Sequence, residues 1–182
     1  MVITDRYDHV IDDKGRLAIP SQIRNAMDPE IDGKAFFLVP EARYLQLIPE
    51  KLFERLANIP TGLMPAPEVA KVRRYLFSNA SRLEPDKQGR VMIPDRYMAD
   101  SKHRDPITPT LLGRSVMLVG AGERLEIWNR DDYIAHMREL NADRLSFQPA
   151  LQQMFGHFPA GTASGESASA GSGGHDGGAG RN

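Results

Sequence analysis

Apolar residues along this chain fall into short alternating runs and short periodic ones, and the order of those runs occurs twice. In the first half, "YDHVIDDKGRLAIP" places two short strands around a charged turn. A short helical piece, "SQIRNAM", follows. "KAFFLVP" and "YLQLIP" then predict a hairpin that turns at Glu41 to Arg43. "EKLFERLANI" predicts an amphipathic helix with Leu52, Phe53, Leu56 and Ile59 on one face. The second half repeats this order. "SRLEPDKQGRVMIP" predicts strand, turn and strand, and "DRYMAD" a short helical piece. "SVMLVGAGERLEIWN" predicts a hairpin, in which "GAGE" is the turn rather than a phosphate loop. "RDDYIAHMREL" predicts an amphipathic helix with Asn129 as N-cap and acids in its first turn. Between the halves, "IPTGLMPAP" reads as a linker and "EVAKVRRYLFSN" as a helix with Val69, Val72 and Leu76 inward.

The two charged turns align at an offset of 74 residues, pairing Asp12 with Asp86, Gly15 with Gly89, Arg16 with Arg90, Ile19 with Ile93 and Pro20 with Pro94. The later hairpins align at 80, pairing Leu45 with Leu125 and Leu47 with Ile127, so the second half carries about six extra residues, assigned to "HRDPITPTLLG". Most of the turn unit has a local explanation. Glycine accepts the positive φ that a tight turn needs, and Asp at the turn start accepts backbone N–H bonds. Ile19 and Ile93 are core anchors, while Pro20 and Pro94 end a strand and suit the start of a helix. The arginine admits two readings. Arg16 with Asp12, and Arg90 with Asp86, form salt bridges that fix the turn, or the two guanidinium groups are presented to phosphate or guanine edges.

Charge sharpens the second reading only locally. The chain of 182 residues has a net charge of -1, so an anion-binding role must come from clustering. Between Lys71 and Arg104, nine basic residues face four acidic ones, which describes either a solvated surface with ion pairs or an anion-binding face. With 41% hydrophobic and 26% charged residues, the composition fits one or two small domains. Cysteine is absent, which excludes disulfides and thiolate metal sites and fits a reducing compartment. The start "MVITDRYDHV" lacks an apolar signal core and no run of 18 apolar residues occurs, so neither secretion nor a membrane span is expected. From Pro159 to Asn182 there is no Val, Ile, Leu, Met or aromatic residue, and the expectation there is a disordered tail.

At "DDKGRLAIPSQIR" and "DKQGRVMIP", with "RYLFSNA" before the second turn and "RLEIW" after it, the chain resembles the MraZ family. The resemblance runs from about Tyr7 to Leu140. It implies an α+β fold of two tandem SpoVT/AbrB-type modules, each a swapped-hairpin, β-barrel-like unit with short helices. The expected organisation is a first module over 1–60, a linker and helix over 61–80, a second module over 81–141, a helical extension over 142–158 and the tail over 159–182. The implied function is a sequence-specific, double-stranded-DNA-binding transcriptional regulator and repressor. It would act as a ring-shaped homo-oligomer on repeated boxes upstream of the division and cell-wall gene cluster, in the cytoplasm at the nucleoid. Carried over residue by residue, DNA contacts fall on Arg16 and Arg90, with Lys14 and Lys87 as phosphate contacts. Arg24 matches the family's arginine after the first Pro; in the second half that position is Met98, and Arg96 is its candidate replacement. Asp12, Gly15, Asp86 and Gly89 shape the turns.

Other classes fit less well. There is no HExxH, GxSxG or P-loop, and His9, His103, His136, His157 and His175 are scattered, so no enzyme, cofactor, metal or small-molecule substrate is expected. An antitoxin-like module is the alternative, but a partner-masking tail needs apolar anchors, which this tail lacks beyond Phe158. A protein-only scaffold would use the stripes of "EKLFERLANI" and "RDDYIAHMREL", which, like Trp128, read as core.

Overall fold

A computed structural model of the chain describes residues 2–59, 66–102 and 112–156. Most of the "HRDPITPTLLG" insertion, the middle of the linker, His103, His157, His175 and the tail from 159 lie outside the described residues. The chain divides into two compact units, Met1–Ala142 and Asp143–Asn182.

In the first unit the elements run β1 (Arg6–Val10), β2 (Arg16–Ala18), α1 (Ser21–Ala26), β3 (Phe36–Pro40), β4 (Tyr44–Pro49), α2 (Glu50–Ala57) and α3 (Ala66–Asn79). They continue with β5 (Ser81–Leu83), β6 (Arg90–Met92), a 3-10 turn (Asp95–Tyr97), β7 (Ser115–Gly120), β8 (Leu125–Asn129) and α4 (Arg130–Ala142). This is the α+β architecture of two tandem, strand-exchanging modules that the family resemblance implied. Of the second unit, α5 (Arg144–Gly156) is described, a helix with Pro149 inside it.

The repeat is visible in the sheet. One six-stranded sheet has the order β1-β7-β8-β4-β3-β5, and a separate two-stranded ribbon joins β2 to β6. The two predicted hairpins form, β3 with β4 and β7 with β8, and meet edge to edge where Leu45 pairs with Ile127 and Tyr44 with Trp128. Each outer strand comes from the other half: β1 pairs with β7, and β5 with β3. The strands flanking each charged turn therefore do not pair with each other. A ribbon of two three-residue strands has little stability alone, whereas exchange lets Leu17 of β2 face Val91 of β6 with both fully buried. Cross-links between halves reinforce this, with Ile19 N–H donating to Gly89 O (2.9 Å) and Ile93 N–H to Gly15 O (2.8 Å).

The main core draws on both halves, with Ile19, Phe36, Leu38, Leu47, Ile93, Tyr97, Leu118 and Leu125 all buried. Pro20 and Pro94 occupy the N-cap positions of α1 and the 3-10 turn. A second cluster forms under α2, where Phe53 stacks on Phe37 at 4.1 Å between centroids and meets Phe77 edge-on at 5.6 Å. Two expected inward residues differ. Ile59 lies past the end of α2 and is 52% exposed. Val72 is 54% exposed, because α3 turns Leu76 and Phe77 toward the cluster instead. Trp128 is buried between Tyr44 (4.6 Å) and His136 (5.0 Å). Asn129 precedes α4, and its side-chain amide lies 3.5 Å from Asp132 Oδ2. Gly122, with φ +81°, forms the β7–β8 bend.

Leu17→Ala is expected to destabilise the fold by about 2–5 kcal/mol. Val72→Ala should stay within about 0.5 kcal/mol. Chemical denaturation of the two variants side by side checks both.

Candidate nucleic-acid interface

The two charged turns are built alike to the atom. In the first, Gly15 N–H donates to Asp12 O (2.8 Å) and Asp12 N–H to Arg16 O (3.0 Å). Asp12 Oδ1 accepts from the backbone N–H groups of Lys14 and Arg16, each at 2.9 Å. Its Oδ2 accepts from Arg16 Nε (2.7 Å) and Nη2 (2.7 Å). In the second, Asp86 Oδ1 accepts from the Gln88 (2.9 Å) and Arg90 (3.0 Å) N–H groups, and Oδ2 from Arg90 Nε (2.9 Å) and Nη2 (2.7 Å). Gly15 and Gly89 both sit at φ +76°, where a side chain would be strained. The same carboxylate thus closes the turn with one oxygen and orients the guanidinium with the other.

That geometry fixes the acids' protonation. The Arg16 side chain, then its backbone N–H, holds Asp12 at about 2, below its ordinary 3.8. Arg90 does the same for Asp86, again to about 2. Each arginine keeps Nη1 outside its Asp contact, and the two side chains are 29% and 27% exposed. The register settles their direction. Arg16 pairs with Met92 and Ala18 with Arg90, around the central pair Leu17 and Val91. Paired residues in a strand ladder point to one face. With Leu17 and Val91 inward, Arg16, Ala18, Arg90 and the exposed Met92 share the outer face.

The other sequence-predicted residues distribute unevenly. Lys14 and Lys87 are exposed on the turns and make no ion pair among the described residues. Arg24, on α1 of the first half, lies across the second half's turn. Its Nε donates to Ile19 O (3.0 Å), and a Cβ placed on Gly89 would collide with the Arg24 guanidinium. Arg96 turns inward, with Nη2 donating to Ser81 Oγ (2.7 Å), Asn79 O (3.3 Å) and Tyr97 Oη (3.3 Å). Its guanidinium lies 5.0 Å over the Tyr97 ring. Met98 is buried in the core, at the edge of the cleft beside the first turn.

Part of the basic run from 71 to 104 is engaged elsewhere in the fold, and Arg104 lies outside the described residues. Arg73 caps Ala57 O (3.0 Å) and lies 5.0 Å from the Phe77 ring centroid, and Arg82 pairs with Glu50 (2.8 Å). Two cations escaped the sequence reading. Lys34 lines the cleft between α1 and the second turn, and Arg114 lines the matching cleft at the first. The offset of 80 that pairs the hairpins also pairs Lys34 with Arg114, so the signal was present.

Comparison with known proteins places the chain among relatives of one kind. Residues 76–157 match the sequence model of a family described as "MraZ protein, putative antitoxin-like". The "Transcriptional regulator MraZ" of Chromobacterium violaceum is 32% identical over 153 residues, covering 81% of this chain and 93% of that protein. The "Transcriptional regulator MraZ" of Thermomicrobium roseum is 32% identical over 147 residues, covering 80% and 94%.

Lowered carboxyl pKa values in the folded chain mean that the two Asp–Arg locks stabilise it fully above the ordinary 3.8 and lose that effect as pH falls through about 2. Carboxyl-carbon NMR should find both groups still ionised at about pH 3. Arg16→Ala should return Asp12 toward its ordinary value without moving Asp86.

Proposed function

The chain belongs to the MraZ family, and we propose that it is a sequence-specific DNA-binding transcriptional regulator whose contacts center on Arg16 and Arg90. The observation that carries this reading is the outer face of the β2–β6 ribbon, where the same Asp-oriented arginine is presented twice. A two-stranded ribbon is narrow enough to enter a major groove. An arginine already held by a carboxylate loses little conformational freedom on contact, and its outer N–H groups suit guanine edges or phosphate oxygens. Lys14, Lys87 and Arg24 flank this face as phosphate contacts. Arg96 supports the same interface from within by tying the 3-10 turn to Asn79 and Ser81.

A net charge of -1 is no obstacle, because counterion release depends on the cations at the contact. We further propose that the chain assembles into a ring and represses the division and cell-wall gene cluster by engaging repeated upstream boxes. Each copy then adds affinity through effective concentration rather than through new contacts. Exposed apolar residues on α5, among them Leu145, Met154 and Phe155, supply material for subunit contacts. The modules would act as regulators rather than catalysts.

Arg16→Ala and Arg90→Ala are each expected to weaken binding to the chain's own upstream region by about 1–3 kcal/mol, roughly ten- to over a hundredfold. Circular dichroism and oligomer size should be unchanged. Mobility shifts across a salt series measure the loss, and unaltered binding by both variants would remove the proposal.

A further inference from the structure

The two turns are twins, but the clefts beside them are not. The cleft at the second turn has a volume of about 280 Å³ and is lined by Arg24, Lys34, Asp86 and Lys87. Asp86 is held by Arg90, and Glu50, whose Oε2 accepts from Lys34 N–H (3.2 Å), is held by Arg82 (2.8 Å), so none of the three cations has an ion-pair partner among the described residues. The cleft at the first turn, about 340 Å³, is lined by Asp13, Lys14, Asp95, Met98 and Arg114. Three of the differences follow the repeat. At the offset of 74, Met98 replaces Arg24 and Asp13 replaces Lys87; at the offset of 80, Arg114 replaces Lys34. Arg114 is also occupied: Nε and Nη2 bond Asp100 Oδ2 at 2.8 and 2.6 Å, and Nη1 bonds Asp12 O. Lys34, by contrast, is exposed and makes no ion pair among the described residues.

We infer that the chain grips DNA unequally: the cleft between α1 and the second turn, with Arg24, Lys34 and Lys87, is a phosphate-binding site, and its counterpart at the first turn, with Lys14, contributes less to phosphate binding. This rests on the DNA-binding reading above. Three cations lining one concave surface attract a phosphate more strongly than the same charges spread over a convex one. In the first cleft, Asp13 and Asp95 offset Lys14 and Arg114. Arg16 and Arg90 remain equivalent as groove contacts; only the backbone grip differs. A single site thus draws on both halves, with Arg24 and Lys34 from the first and Lys87 from the second.

The test follows binding of the full chain to its own upstream duplex against salt concentration. Lys34→Gln and Lys87→Gln should each lower the slope of log affinity against log salt by about one. Lys14→Gln should lower it by clearly less. Asp13→Lys, an exposed substitution that copies Lys87, should raise the slope by about one. Arg24→Gln should behave like Lys34→Gln; because Arg24 also bonds Ile19 O, its fold is checked separately, and the two lysines carry the test if it unfolds. Equal losses from Lys14→Gln and Lys87→Gln, or an unchanged slope for Lys34→Gln, would overturn the inequality and leave the DNA reading intact. Absence of any salt-dependent binding by the unaltered chain would overturn both.

Discussion

Leu17 and Val91 meet across two strands of only three residues each, and neither strand has a stable partner within its own half. Their burial draws the two turns together, because each turn lies immediately before its strand. The outward direction of Arg16 and Arg90 then follows from strand alternation. Removing about one buried apolar side chain of this kind forfeits roughly 1.5–3 kcal/mol of transfer free energy. It also loosens the scaffold that sets both guanidinium groups on one face. Stability and the proposed interface therefore share one contact.

The Asp–Arg pairs have a different role. At the surface such a pair contributes little to stability, and both arginines keep more than a quarter of their side-chain surface exposed. What the pair fixes is conformation. One carboxylate oxygen is committed to backbone N–H groups and so cannot swing away, and the other holds the guanidinium in plane. The two readings of the turn arginine, as turn brace and as nucleic-acid contact, are thus compatible: bracing leaves the outer N–H groups in place for a ligand.

The two halves share their turn backbone but not the side chains around it. The backbone of the two turns, their glycine φ values and their cross-half hydrogen bonds have stayed equal. The side chains around them have not. Where the first half has Arg24, the second has Met98 in the core, and Lys34 has a counterpart, Arg114, that is engaged by Asp100. The charge on the proposed interface is therefore concentrated beside one turn.

The elements, the repeat and the turn chemistry were legible along the chain because they are local. Alternation gave the hairpins, Asp and Gly at fixed spacing gave the turns, and Ile19 and Ile93 announced themselves as core. Nearest-neighbour reading could not place Val72 outward or Arg96 inward, since both depend on how α3 packs against β3 and α2. Nor could counting charge between 71 and 104 succeed, because ion pairs with Glu50 and caps on Ala57 and Asn79 are long-range. Only the tertiary structure decided that strands flanking a turn separate, that Arg24 crosses to the other half's turn, and that Lys34 joins it. Those are choices among partners distant in the chain, made by burying apolar surface jointly, and no local pattern encodes which distant partner wins.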